Sequence, residues 1–204
     1  MIERLLSSVF NNKVYLLLLL IVLLGGILRF YKISEVPVSL YWDEVSSAYN
    51  AYSISSTGKD EFGNNFPLLF KAFDDYKTPV NIYLTAVSVK VFGLNEFSAR
   101  FSSAFLGTLT VLVCFFLIKE LINKRYMNVD SAIIGLITAF LLAISPWHIQ
   151  FSRISSEANI GLFFVVLGAF LFFKFINSEH YKYFFSSMLI FAISVYAYRS
   201  IWVF

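Results

Sequence analysis

Uncharged residues are concentrated in five long runs, which predict five membrane-spanning helices. In chain order the runs cover residues 14–28, 101–118, 131–152, 158–173 and 183–198. A helix rises about 1.5 Å per residue and the hydrocarbon core is about 30 Å thick. The shorter runs therefore span the core only if flanking residues extend the helix at its ends. Lys13, Arg29 and Lys174 can do so by snorkelling to the membrane surface. The predicted fold class is an all-α polytopic membrane protein, with spans at 13–32 and within 98–204 and a loop at 33–97.

A sixth uncharged run, residues 78–89, is too short to cross the bilayer, because 12 residues reach only about 18 Å as a helix. Its apolar positions recur at helical spacing, at Val80, Tyr83, Leu84, Val87 and Val91. Asn81, Ser88 and Lys90 lie off this stripe. The spacing predicts an amphipathic helix that lies in the membrane interface.

Basic residues in the short loops predict the orientation of the chain, because cytoplasmic loops carry the excess of lysine and arginine. A cytoplasmic amino terminus places seven of them inside: Arg4, Lys13, Lys119, Lys124, Arg125, Lys174 and Lys182. The short outer loop after the third span then carries only Arg153. We therefore expect a multi-pass plasma-membrane protein with residues 33–97 on the extracytoplasmic side. The first span is expected to be retained, since residues 25–31 offer no small-x-small cleavage site.

Composition agrees with a membrane protein and excludes several other classes. Apolar residues make up 58% of the 204 positions and charged residues 14%, and the mean hydropathy is +0.72. Soluble domains have about 45–50% apolar and about 25% charged residues. A disordered chain, a nucleic-acid-binding domain and an ordinary cytosolic enzyme are therefore excluded. The single cysteine, Cys114, rules out an intrachain disulfide and a Cys-based zinc site.

The loop at residues 33–97 carries most of the acidic residues. It holds 8 of the 13 acids and 4 lysines, a net charge of −4. A 65-residue loop is far longer than a helix connection requires, and long loops are usually functional. Six of its acids are adjacent pairs, namely Asp43-Glu44, Asp60-Glu61 and Asp74-Asp75.

The first acidic pair precedes a predicted helix over residues 44–56, which Gly58 ends. Asp43 is placed to be its N-cap, and a cap alone would explain this residue. Asp43 could equally accept a proton at the membrane surface, since a helix amino terminus favours an ionised carboxylate. Asp60-Glu61 is interpreted as a solvated turn. Asp74-Asp75 with Lys77 could form a surface salt bridge or hold a metal or phosphate, and both interpretations stay open.

An ordered set of motifs along residues 10–204 resembles bacterial membrane glycosyltransferases of the GT-C fold. The nearest group is the branch of protein O-mannosyltransferases and aminoarabinose transferases, including RgtA/B/C/D-like domains. The motifs are Trp42-Asp43-Glu44 with Tyr49 and Ala51, Thr57-Gly58, Asp60-Glu61-Phe62-Gly63, Phe66-Pro67-Leu68, Tyr76-Lys77-Thr78-Pro79, residues 92–100, Ser145-Pro146-Trp147-His148 and Phe151-Ser152-Arg153. Because residues 201–204 are still apolar, the chain is expected to be the amino-terminal part of a longer protein.

The resemblance implies a GT-C-type helical bundle that moves a sugar from a polyprenyl-phosphate donor to a lipid, glycan or protein acceptor, with inversion. Asp43 matches the catalytic base, Glu44 its neighbour, and Lys77 a lysine that contacts the lipid phosphate. Tyr49 is expected to contact substrate. Aminoarabinose transferases have Glu-Lys-Pro-Pro where this chain has Tyr76-Lys77-Thr78-Pro79, and that glutamate helps to bind a metal. Whether a divalent metal ion is a cofactor therefore stays open, and Asp75 is the residue that would replace the missing glutamate as its ligand.

Three arginines lie on the same side as the acidic loop under the predicted topology. Arg100, Arg153 and Arg199 are expected to face the donor phosphate, since guanidinium binds phosphate in a bidentate manner. Each alone could be a headgroup anchor. His148 is expected to pack at the interface. A transporter or flippase subunit is the alternative function, ranked lower because the spans contain almost no ionisable residues.

Overall fold

The computed structural model describes residues 2–73, 75–122 and 130–199, with side chains from residue 12 onward. Sequence predictions that involve Asp74, Lys124, Arg125, the Arg4 side chain and residues 201–204 lie outside this part of the chain. The elements are α1 (Ile2–Phe30), α2 (Trp42–Thr57), β1 (Phe70–Ala72), β2 (Asp75–Lys77), α3 (Pro79–Phe92), α4 (Glu96–Leu121), α5 (Ser131–Ile144), α6 (Pro146–Ser152), α7 (Glu157–Ser178) and α8 (Tyr181–Ala197). Apart from one antiparallel hairpin, β1–β2, the regular elements of the described residues are thus helices, which confirms the all-α polytopic prediction.

Candidate membrane spans are fewer than the five predicted. By length and composition, three helices among the described residues can cross a membrane: Asn12–Phe30, Glu96–Leu121 and Glu157–Ser178. The run at 131–152 is broken by a 62° bend between α5 and α6 and counts as a fourth span only if the pair is taken together. The bend follows from Pro146, which cannot continue α5 and is well suited to a first helical turn. The 17 residues of α8 reach only about 25 Å, less than the hydrocarbon core.

The bend between α5 and α6 frees backbone carbonyls, and Arg29 satisfies them. The Arg29 guanidinium donates to the carbonyls of Leu142, Ala143 and Gly25, and to Nδ1 of His148 at 2.6 Å. Both Arg29 and His148 are fully buried. The predictions of a snorkelling Arg29 and an interfacial His148 are therefore wrong: carbonyls at the end of α5 accept from a guanidinium that lies inside the bundle.

Helix α4 is the centre of the bundle and packs against α1, α3, α5 and α7. One apolar cluster joins α1, α4 and α5, and consists of Val14, Leu18, Val111, Phe115, Ala139 and Ala143. On the α6–α7 side, Gly107 lies close to Ser152 and Asn159. The outward face of α1 is a row of exposed leucines, as expected for a helix in contact with lipid.

The predicted interfacial helix is present as α3, which packs against α2 and α4. Its buried face is partly polar and includes Asn81, Thr85 and Ser88. The apolar stripe points away from this face at Val87 and Val91, which are exposed. This arrangement brings the polar side of α3 towards the acidic pair at the start of α2.

Candidate active site

A cavity of about 290 Å³ with several charged side chains in its wall lies where α2, β2, α3 and the α6–α7 connection meet. Its walls include Asp43, Glu44, Ser47, Lys77, Asn81 and Glu157. Side chains from α2, β2, α3 and the α6–α7 connection therefore converge beside the amino-terminal end of α7, a candidate span. We call this cavity the acidic pocket.

The first turn of α2 presents Asp43 to the acidic pocket. The helix begins at Trp42, with Tyr41 as its N-cap, and the Glu44 carboxylate accepts the Tyr41 N–H at 2.9 Å. The prediction that Asp43 is the N-cap is wrong, because Glu44 reaches back to Tyr41 and the helix starts earlier than predicted. Gly58, with φ of 72°, ends α2 as predicted. Asp43 thus keeps a carboxylate at a helix amino terminus, where the macrodipole stabilises negative charge.

Asp43 forms an ion pair with Lys77 at the end of β2. The distance between Lys77 Nζ and Asp43 Oδ1 is 2.9 Å, and 40% of the Asp43 side chain is exposed. Asp75 lies 3.8 Å from Lys77 Nζ and accepts from Arg199 at 2.9 Å. The four side chains form a row of alternating charge that begins in the wall of the acidic pocket, at Asp43 and Lys77, and continues to Asp75 and Arg199 outside the wall.

Electrostatics favour the charged forms of Lys77 and Asp75, the two middle members of this row. Burial lowers the pKa of Lys77, but the hydrogen bond to Asp43 and the charges of Asp43, Glu157 and Asp75 outweigh burial and raise it above its usual value. The Tyr76 backbone N–H, followed by Arg199, holds the pKa of Asp75 below its usual range. The acidic pocket therefore offers a fixed cation beside carboxylates that can accept hydrogen bonds.

Glu44 turns away from solvent and pairs with Arg100. Arg100 Nε lies 3.1 Å from Glu44 Oε1, and both side chains are buried. The remaining Arg100 N–H groups contact a second Glu44 oxygen and the carbonyls of Ile33, Pro37 and Ser39. The expectation that Arg100 faces the donor phosphate is therefore wrong: its donors pair with Glu44 and with carbonyls of the loop before α2.

Arg153 has a similar role on the neighbouring stretch of backbone. It donates to the carbonyls of Leu28 at 3.0 Å and Val36 at 2.8 Å, and is only 9% exposed. A direct contact with donor phosphate does not fit this burial. Arg199 differs, since 43% of its side chain is exposed and it extends the charged row through Asp75.

Two other predictions fall outside the acidic pocket. Tyr49 is 52% exposed and does not line the pocket, so nothing in this geometry brings it to a substrate held there. The Asp60-Glu61 turn is present, but Asp60 is buried rather than solvated, because it accepts N–H groups of Phe62 and Asn64. Both acids stabilise the loop: Glu61 accepts from Asn50 on α2.

Sequence reasoning missed Glu157 and Asn81, which lie in the pocket wall. Glu157 begins α7 directly after its N-cap Ser156, so it resembles an ordinary first-turn acid. Asn81 was interpreted only as part of the polar side of α3. The available signal was the Ser-Ser-Glu sequence after Arg153, a polar cluster at the start of an otherwise apolar span.

The side chains that the structure describes do not fit the metal site that the resemblance left open. Among the residues that the structure describes, no group of three or more His, Cys, Asp or Glu side chains could hold a metal ion. Tyr76 supplies no carboxylate, and Asp75, the expected substitute, is engaged with Lys77 and Arg199. We assign no step to a metal ion.

Comparison with known proteins gives two matches. The profile of the family described as dolichyl-phosphate-mannose-protein mannosyltransferase matches residues 76–204, which include Lys77, Asn81 and Glu157. The Bacillus subtilis (strain 168) protein named "Putative mannosyltransferase YkcB" is 25% identical over 167 residues, 80% of this chain and 21% of that protein. The chain therefore spans about a fifth of the length of the curated relative it matches. No solved structure gives a significant match.

Proposed function

The chain belongs to the dolichyl-phosphate-mannose-protein mannosyltransferase family, and from this premise we propose that it carries the active site of a membrane glycosyltransferase. The donor is a sugar linked to a polyprenyl phosphate, with mannose as the first candidate. The acceptor is a hydroxyl or amine on a lipid, glycan or protein. The reaction takes place at the extracytoplasmic surface of the plasma membrane, with the amino terminus in the cytoplasm.

The observation that carries this proposal is the Asp43–Lys77 pair in the wall of the acidic pocket, 2.9 Å apart. Glycosyl transfer from a phosphate ester needs a carboxylate to take a proton and a cation to stabilise the departing phosphate. The pair supplies both groups at one point. The polyprenyl tail lies in the bilayer and its phosphate at headgroup depth, which matches a pocket beside the amino-terminal end of a candidate span.

The chemical step follows from these two side chains. The acceptor oxygen or nitrogen attacks C1 of the sugar and its proton passes to Asp43. The bond between C1 and the phosphate oxygen breaks, and the electron pair leaves with the polyprenyl phosphate, whose negative charge Lys77 stabilises. Attack opposite the leaving group inverts the configuration at C1.

Donor binding and base activation are coupled in this scheme. The donor phosphate competes with Asp43 for Lys77, because both are anions that pair with the same ammonium group. Once the phosphate holds Lys77, the Asp43 carboxylate is free to accept the proton of the acceptor. Asp75 and Arg199 stay paired, so they maintain the position of Lys77 during the exchange.

The test is sugar transfer by the full-length protein with Asp43 replaced by asparagine. We expect Asp43→Asn to lower kcat by about 10²- to 10⁴-fold, because asparagine cannot take a proton. The matched control is Glu35→Gln, an exposed carboxylate in the same loop that pairs with Lys32 outside the pocket. The readout is transfer of radiolabelled mannose from a polyprenyl-phosphate donor in membranes with equal amounts of each protein.

Undiminished transfer by Asp43→Asn at normal protein level would contradict the assignment of the base. Movement of a substrate across proteoliposomes without any change in its bonds would instead support the transporter alternative. Orientation is tested separately: a cysteine at exposed Phe66 should react with a membrane-impermeant maleimide added outside intact cells. Reaction only after the cells are broken would place the pocket on the wrong side for this proposal.

A further inference from the structure

Two polar atoms of residues that line the acidic pocket have no hydrogen-bond partner among the residues that the structure describes. They are Nδ2 of Asn81 and Oε1 of Glu157. A buried polar atom without a partner costs free energy comparable to a lost hydrogen bond, so native structures contain few. The other two such atoms in the described chain belong to Arg29 and His148, beside the α5–α6 bend.

The amide of Asn81 is held by its carbonyl end. Asn81 is only 1% exposed, and its Oδ1 accepts from the hydroxyls of Ser155 at 3.2 Å and Thr85 at 3.5 Å. These contacts come from the α6–α7 connection and from the next turn of α3. Because they fix the carbonyl end, the amino end keeps both hydrogens available for an acceptor.

Glu157 offers the opposite kind of group. Burial, with a smaller contribution from the charge of Asp43, disfavours the charged form of its carboxyl. Hydrogen bonds from the hydroxyl and backbone N–H of Thr78 and the charge of Lys77 act in the opposite direction. Oε1 has no partner and can accept a hydrogen bond. The pocket wall therefore provides one unused donor and one unused acceptor near the cation that we assign to the donor phosphate.

A sugar ring fits this combination better than a second phosphate does. Phosphate oxygens only accept hydrogen bonds, and the negative charge of Glu157 would repel them. Each sugar hydroxyl both donates and accepts, so one hydroxyl can accept from Asn81 while another donates to Glu157. A site built to pair with hydroxyls rejects analogues that lack them, because its own polar groups are then left unpaired.

We propose that Asn81 and Glu157 form the subsite that binds hydroxyl groups of the transferred sugar, with Asn81 setting the specificity for one of them. The inference rests on the proposed function, since it needs a sugar whose phosphate is held by Lys77. It adds a substrate-recognition role for two residues beyond the base and the cation.

The experiment combines Asn81→Leu in the full-length protein with a set of mannose donors, each lacking one hydroxyl in turn. We expect Asn81→Leu to lower kcat/KM for the parent donor about 10- to 100-fold, the range for loss of one buried hydrogen bond. For one deoxy donor the variant and the wild type should be equally poor, because the bond is already absent. For the other deoxy donors, the loss of kcat/KM caused by the variant and the loss caused by the missing hydroxyl should multiply.

The matched control is Ser88→Ala, a buried polar residue on the same face of α3 that donates to the carbonyls of Thr85 and Ser98 outside the pocket. Ser88→Ala should show the same relative kcat/KM values across the set of donors as the wild type. If Asn81→Leu loses the same factor with every donor, or loses nothing, the subsite is wrong while the glycosyltransferase assignment stands. If the wild type transfers no sugar from any donor, the proposed function fails and the subsite with it.

Discussion

Asp43 and Glu44 are adjacent in the sequence, yet their ion pairs belong to two different regions of the molecule. Asp43 reaches Lys77 in an accessible pocket, where a ligand can replace either partner. Glu44 reaches Arg100 in the interior, where both side chains are at most 3% exposed. One helical turn thus supports a replaceable pair and a fixed pair at once.

The two ion pairs have different roles because their surroundings differ. The guanidinium of Arg100 joins the loop before α2 to α4, and Glu44 Oε1 also accepts the N–H of Ser155 before α7 at 2.8 Å. The buried pair therefore fixes the position of the first turn of α2. The Asp43–Lys77 pair is held by this frame but contributes little to it, since partly exposed ion pairs are worth at most about 1 kcal/mol.

The largest effect should come from the buried pair. Arg100→Leu leaves Glu44 charged and unpaired in the interior and removes the donors of three loop carbonyls. We expect the free energy of unfolding to fall by about 3–5 kcal/mol, measured by thermal unfolding of the purified protein in detergent. The double variant Glu44→Gln/Arg100→Leu should lose less, because no lone charge remains. Wild-type stability in Arg100→Leu would remove the basis of the comparison.

The accessible pair should respond in activity rather than in stability. Lys77→Met should lower kcat/KM for the donor by about 10²-fold or more, because the leaving phosphate loses its cation. Its unfolding temperature should stay near that of the wild type, and Lys77→Arg should retain part of the activity. Lys90→Met, at the exposed end of α3, is the control for loss of a lysine. A Lys77→Met protein as unstable as Arg100→Leu would show that both pairs are structural.

The smallest effect should come from Asp75, the outermost carboxylate of the row. Its folded-state pKa lies below the ordinary value of 3.8, so its contribution to stability is present above that pH and is lost as the pH falls through the folded pKa. Asp75→Asn should reduce stability by less than about 1 kcal/mol at neutral pH. The difference from the wild type should vanish in acid. A difference that grows on acidification would mean that Asp75 is not stabilised as a carboxylate.

Much of the helical framework could be predicted from the sequence, because long apolar runs have few other ways to fold in a bilayer. The runs that include Val14, Phe101 and Ala158 match α1, α4 and α7. The α5–α6 break was missed, because an uncharged run reports hydrophobicity and not backbone continuity. Pro146 was the one local signal of the bend.

The site could be predicted only where local chemistry is unambiguous. Asp43 and Lys77 carry the resemblance and do meet in the structure. Arg100 and Arg153 were misassigned, because an arginine at a helix end looks the same in sequence whether it meets lipid phosphate or backbone carbonyls. The irregular loop at 31–41 explains where both arginines point, because its carbonyls need hydrogen-bond donors and the arginines supply them. Asn81 could not be found because its role depends on Ser155, 74 residues away.

The fixed position of Glu44 has a mechanical consequence for how a substrate enters. Lys77 lies across the acidic pocket on the β1–β2 hairpin, whose Phe73 side chain stacks on Trp42 of α2 with ring centres 5.5 Å apart. A ligand that enters therefore has to fit between the proposed base on fixed α2 and a cation whose hairpin is held to the same helix by this aromatic contact. Weakening the contact between Phe73 and Trp42 would then change the rate of substrate binding and leave the rate of the bond-breaking step unchanged.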